Sequence, residues 1–139
     1  MSEGAPVTKA AGGVRRLINA CRYTCAGFRH AIRNEVAIRE ELIALAVLAP
    51  ASALLPVTKV EHLILVLALL LVVLVELINS AIEATIDRIS REHHPLAGQA
   101  KDLGSAAVFI ALVMCTLSWL VIAGPVLARW ISGPHGPVK

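Results

Sequence analysis

Residues 63 to 75 read LILVLALLLVVLV, with no polar side chain among them, and residues 76 to 88 then read ELINSAIEATIDR. A helix that is apolar all round must be covered by protein or by lipid, because water leaves such a surface unpaid. Placing Glu76, Asn79, Glu83 and Asp87 directly after the apolar run is costly. An acid at the centre of a membrane helix costs about 2.5–3.5 kcal/mol. The chain therefore has to be read as a membrane protein with a reason to carry acids. Its composition agrees. The 139 residues are 57% hydrophobic but only 4% aromatic, so the apolar content is aliphatic, as suits lipid-facing helices.

Three stretches approach the roughly 20 residues that a bilayer-crossing helix needs. They cover about residues 36–57, 63–86 and 103–128. Pro50 and Pro56 are expected to kink or end the first. An open turn holding Pro56, Thr58, Lys59, Glu61 and His62 is expected to join the first to the second. Ahead of them, Val14, Leu17, Ile18, Cys21, Cys25, Phe28 and Ile32 recur at steps of three and four and form one helical face. Arg15, Arg16, Arg22, Arg29 and Arg33 lie mostly off that face. A basic amphipathic helix over 14–34 is expected to lie in the membrane interface. The organisation read from sequence is a flexible segment 1–13, the interfacial helix 14–34, a three-helix transmembrane domain 35–131, and a flexible tail 132–139. Residues 1–13 show no early hydrophobic run, so no signal peptide is expected. Cys21, Cys25 and Cys115 lack the spacing of a disulfide framework or zinc site.

Ten of the thirteen Lys and Arg residues precede the charge-free part of the first span, which begins at Leu42, or fall between the second and third spans. The positive-inside rule puts that side in the cytoplasm, with the N-terminus, and puts the 56–62 turn and the C-terminus outside. At about 100° per residue, Glu76, Asn79, Ser80, Glu83 and Asp87 share an arc of about 100° on one helix face. The stripe begins inside the membrane and emerges toward the cytoplasm. Asn79 and Ser80 equally suit helix–helix hydrogen bonding. Two carboxylates call for cations or protons. Glu76 and Glu83 lie roughly 10 Å apart along the axis, too far to share one ion. Glu83, near water, suits a hydrated metal. Glu76, deeper and drier, suits the uptake of a proton.

Glu35, at the start of the first span, reads as a second metal ligand or as an interfacial salt bridge. In the segment 91–105, Asp102 reads as a helix N-cap or a cation ligand and Lys101 as a phosphate contact. Glu92, His93 and His94 lack the geometry of a zinc site. No Walker motif, dinucleotide fingerprint or protein-kinase motif is present.

The run ELINSAIEATID at 76–87 resembles the signature of the small prokaryotic diacylglycerol kinases. Asn34 and Glu35, followed by Arg39 and Glu41, resemble that family's junction between surface helix and first span. AKD at 100–102 with GSAAV at 104–108 resembles the start of its third helix. The resemblance covers about residues 14–122. It implies an all-α, homotrimeric inner-membrane protein with one surface helix and three transmembrane helices per chain, and active sites shared between protomers. It implies transfer of the γ-phosphoryl group of MgATP to diacylglycerol, giving phosphatidic acid, with no nucleic-acid partner. By resemblance, Glu76 is the general base, and Glu35 and Glu83 hold Mg2+. Arg16, Tyr23, Glu92, His94, Lys101 and Asp102 match nucleotide-contacting positions. Arg16, Ala20, Arg29, Arg39, Glu41, Glu76, Asn79, Ser105 and Trp119 match positions on the lipid side. Cys25 and Ile32 stand where the family often has tryptophan, and Ile38-Arg39-Glu40-Glu41 replaces its Phe-Arg-Gln-Glu. Three other readings stay open: undecaprenol kinase of the same fold, a cation or proton channel lined by the stripe, and a membrane scaffold without activity.

Overall fold

The computed structural model describes residues 13–89 and 94–133, and every regular element among them is helical. The helices are α1 (Gly13–Asn34), α2 (Val36–Ser52), α3 (Lys59–Ile89), α4 (Pro95–Ile122) and α5 (Gly124–Ser132). The chain divides into two units after Asn34.

The first unit contains α1. Val14, Leu17, Ile18 and Phe28 are exposed along it. Asn34 closes the last turn, its Nδ2 donating to the His30 carbonyl at 2.9 Å. Arg33 in that turn complements the negative end of the helix dipole.

In the second unit α3 is central and packs against both α2 and α4. Its 31 residues make a helix of roughly 46 Å, longer than the ~30 Å hydrocarbon core of a bilayer. Among the described residues two helices, α3 and α4, are long and apolar enough to cross a membrane, with peak mean hydropathies of 2.8 and 2.4. Their lipid-like exteriors carry Leu63, Leu67, Leu70 and Leu74 on α3 and Phe109, Ile110, Leu117 and Val121 on α4, all exposed.

The expected open turn between the first two spans is shorter than its composition suggested. Thr58 and Glu61 form a capping box: the Thr58 amide and hydroxyl donate to Glu61 Oε2 at 2.7 and 2.8 Å, and the Glu61 amide donates to Thr58 Oγ1 at 3.3 Å. Two orphan donors are satisfied this way, so the helix begins at Lys59 and takes in Glu61 and His62. A second expectation also changes. Asp102 is not an N-cap, because α4 begins earlier, with Pro95 in its first turn and His94 as the cap. The His94 Nδ1 accepts from the Leu96 amide at 3.2 Å. Proline suits a first turn, where its missing N–H would have had no partner. Asp102 lies two turns inside α4 and is exposed.

The apolar core sits at the α2–α3 turn end. Leu55, Leu65, Ala123 and Val126 are buried together, with Val57, Trp119 and Ile122 packed on them. α4 gives way to α5 at Ala123, where Pro125 has no amide to continue the ladder. The other end of the unit is built from the same ridge of α3 with different residues.

Candidate functional site

The buried positions of α3 are Leu65, Ala68, Leu69, Val72, Val73, Glu76 and Asn79. They step by three and four residues, so they form one continuous packing ridge. Glu76 and Asn79 therefore do not leave the core face; they continue it. Both are 8% exposed. The ridge changes from aliphatic to polar at Glu76.

Two helices meet the polar part of the ridge. Ala37, Glu40, Glu41 and Ala44 share one face of α2. Ser105, Val108 and Leu112 share one face of α4. With Glu76 and Asn79 they line an open groove of about 510 Å³, within the range of small-ligand sites. The small side chains of Ala37 and Ala44 leave the space. Asn79 is tied to the next turn of its own helix. Its Nδ2 donates to Glu83 Oε1 at 3.1 Å. Across from it stands Gly104, where a Cβ would collide with Asn79 Oδ1. Close backbone approach through a small residue is the usual device of membrane helix packing, and buried Ala111 repeats it further along α4.

The site is rich in acceptors. Glu41 Oε2 and Asn79 Oδ1 are buried with no hydrogen-bond partner among the described residues. Buried acceptors left this way cost about 1–3 kcal/mol each, so they point to a donor that binds there. The charge of Glu76 acts on Glu41, and those of Glu83 and Glu35 act on Glu76. The structure thus brings Glu35, Glu41, Glu76 and Glu83 into one electrostatic neighbourhood. Nearer the loop, Lys101 Nζ donates to Asp87 Oδ1 at 2.6 Å and pairs the ends of α3 and α4. Glu83 also lies within electrostatic reach of Lys101.

Other residues singled out in the sequence lie elsewhere. Arg16, Ala20, Tyr23 and Arg29 are on α1, in the first unit. Arg39 is half-buried on α2. Glu92 and His93 fall outside the described residues. Trp119 is roughly 21 Å along α4 from Ser105. It borders a second, mostly apolar groove with Leu48, Cys115 and Leu127. Sequence reasoning missed Glu40 as a lining residue and Gly104 as a packing partner. The signals were present: Glu40 falls one turn after Ala37 and one before Ala44, and Gly104 is a glycine in mid-helix seven residues before Ala111.

The family model described as prokaryotic diacylglycerol kinase matches residues 22–123, which hold the whole groove. The chain belongs to that family. It is 46% identical to a diacylglycerol kinase of Pseudomonas aeruginosa over 114 residues, covering 82% of this chain and 93% of the relative. It is 41% identical to that of Escherichia coli strain K12 over 110 residues, covering 79% and 90%. A diacylglycerol kinase of Helicobacter pylori is 39% identical over 113 residues, covering 81% and 88%. The prokaryotic diacylglycerol kinase match spans α2, α3 and α4 without interruption and includes most of α1.

Among the described residues no three His, Cys, Asp or Glu side chains form a ready-made metal cage. Magnesium does not ask for one. It keeps several waters and binds through one or two carboxylates plus substrate phosphates. Glu35 and Glu83, both half-buried and both within electrostatic reach of Glu76, fit that donor chemistry.

Proposed function

We propose that this protein phosphorylates diacylglycerol to phosphatidic acid with ATP at the cytoplasmic face of the inner membrane. The observation that carries the reading is the groove itself. It combines a buried carboxylate, unpartnered acceptors and apolar walls, in a chain of the prokaryotic diacylglycerol kinase family.

The lipid brings a hydroxyl from the bilayer, and ATP arrives from the cytosol. Glu76, at the floor of the groove, takes the hydroxyl proton. As the lipid oxygen bonds to the γ-phosphorus, the bond from that phosphorus to the β–γ bridging oxygen breaks and ADP leaves. Phosphoryl transfer needs positioning and charge neutralisation more than covalent help. Asn79 and Ser105 orient the headgroup, and Glu41 accepts from it. Glu35 and Glu83 would hold Mg2+, which neutralises phosphate charge when bound. Lys101 supplies a further positive charge near Glu83. Arg16, Tyr23, Glu92, His94 and Asp102 complete the nucleotide side. Arg16, Ala20, Arg29, Arg39 and Trp119 contact lipid.

Three transmembrane helices per chain, with α2 as the first, and a homotrimer with shared sites complete the proposal. The exposed apolar faces of α3 and α4 support both lipid and protomer contacts. The N-terminus and the segment 87–102 face the cytoplasm and the C-terminus the periplasm, as the distribution of basic residues supports.

Purified protein in mixed micelles with labelled ATP and magnesium tests the reading. Labelled phosphatidic acid is expected from diacylglycerol. No lipid phosphate would overturn the kinase reading, and faster product formation from undecaprenol would transfer it to that alcohol. Glu83→Gln is expected to raise the magnesium needed for half-maximal rate by about tenfold. An unchanged magnesium dependence would remove Glu83 from the metal site.

A further inference from the structure

We propose that α5 is an interfacial anchor, which seats Arg129 and Trp130 in the headgroup layer of the outer leaflet and takes anionic phospholipid as its partner. The inference rests on the transmembrane placement proposed above and not on the kinase chemistry. The family match ends at residue 123, immediately before α5, so this role is not carried over from it.

Length sets the depth of the helix. The chain holds no charged residue from Leu103 to Ala128. A hydrocarbon core of ~30 Å takes about 20 residues of helix. Counted from Leu103 they end at Ile122, where α4 also ends. The apolar residues that follow lie beyond the hydrocarbon, and Pro125 sets them in a helix of their own. Packing sets the rotation. Val126 is buried with Leu55 and Leu65, which holds one side of α5 against the end of the unit that carries the α2–α3 turn. Lys59 and Glu61 begin α3 at that same end and mark its boundary with water.

At about 100° per residue, Val126, Leu127, Trp130 and Ile131 fall within an arc of about 140°, with Arg129 and Ser132 outside it. Val126 turns part of that arc into the core. Leu127, Arg129, Trp130 and Ile131 are exposed among the described residues. An apolar sector flanked by a basic residue suits the boundary between acyl chains and headgroups. Tryptophan, with an apolar ring and one N–H donor, concentrates at that level. The Arg129 Nε–H donates to the Pro125 carbonyl at 3.3 Å, which ties the side chain to its own helix. The terminal amino groups remain for a phosphate, which a guanidinium binds bidentately. Charge complementarity therefore selects an anionic lipid. Anchors of this kind set the depth and tilt of the helix that carries them, so α5 pins the outer end of α4.

Fluorescence quenching tests the proposal, because the chain has two tryptophans. Trp119→Phe isolates Trp130, and Trp130→Phe isolates Trp119. Each is reconstituted into phosphatidylcholine vesicles that contain phosphatidylcholine brominated near the headgroup or deep in the acyl chain, or phosphatidylglycerol brominated near the headgroup. Trp130 is expected to be quenched most by the shallow bromines. Its association with the anionic lipid is expected to exceed that with phosphatidylcholine by about fivefold. Arg129→Gln in the Trp119→Phe chain should bring that ratio close to unity. Quenching of Trp130 chiefly by deep bromines, by aqueous iodide without bromine quenching, or by neither, overturns the anchor; the last would mean burial between copies of the chain. Equal association with both lipids, or a ratio that Arg129→Gln leaves unchanged, overturns the anionic partner. If Trp119→Phe does not fold, the difference between wild type and Trp130→Phe gives the same reading. Trp119 is the control: absence of any bromine quenching there means that the transmembrane placement has failed, whereas the kinase chemistry stands or falls by the micelle assay.

Discussion

The two halves of α3 share one packing ridge and do opposite things with it. From Leu65 to Val73 the ridge is aliphatic, and Leu65 is fully buried in the core at the turn end. From Glu76 onward the ridge has the same spacing and similar burial, but it presents a carboxylate and an amide to a groove. The geometry of helix packing is therefore not what separates structure from function here. Side-chain chemistry separates them. The aliphatic half gains stability from burial. The polar half gives some of that up, and leaves Asn79 Oδ1 and the neighbouring Glu41 Oε2 without a partner among the described residues; in the proposed function this is where a hydroxyl is received.

Mutations at matched positions break the comparison if it is wrong. Glu76→Gln is expected to have the largest effect. It should lower turnover by on the order of 10²–10⁴, the range of general-base catalysis, in a lipid phosphorylation assay. Leu65→Ala should cost about 2–5 kcal/mol in an unfolding titration in detergent, because it opens a cavity in the core, while the folded fraction keeps its turnover. Gly104→Ala tests the point where the two halves of the argument touch. Its Cβ collides with Asn79, so stability should fall by about 1–3 kcal/mol and turnover should fall with it. Asn79→Ala in the same chain should recover stability without recovering turnover; independent effects would refute the contact. Asp87→Asn should do least to stability. The pair it breaks with Lys101 is solvent-exposed, and such pairs contribute little. Unfolding curves that coincide with wild type are the expected outcome, and a large shift would make the pair structural.

Much of this was legible in the chain because both signals are periodic. The apolar run at 63–75 and the stripe Glu76, Asn79, Glu83 and Asp87 follow the helical repeat, and three-dimensional context did not override it. Local end signals were read less well. Thr58 and Glu61 have the spacing of a capping box, but the charged residues around them suggested an open turn. Asp102 resembled a cap because it precedes an uncharged run, whereas Pro95 and His94 hold the true helix start. Glu40 and Gly104 could not be assigned from a single helix. Their roles depend on which face of α2 and α4 meets α3, and that is a tertiary fact. The sharing of the site between protomers, which belongs to the proposal, is a matter of assembly, which periodicity within one chain does not encode.

The central claim is that the ridge of α3 changes from structural to catalytic at Glu76. It is tested most directly by measuring unfolding and diacylglycerol phosphorylation on the same preparations of wild type, Leu65→Ala and Glu76→Gln. The account predicts a double dissociation: Leu65→Ala loses stability and keeps turnover per folded molecule, while Glu76→Gln keeps stability and loses turnover. Near-normal phosphorylation by a stably folded Glu76→Gln protein would contradict it.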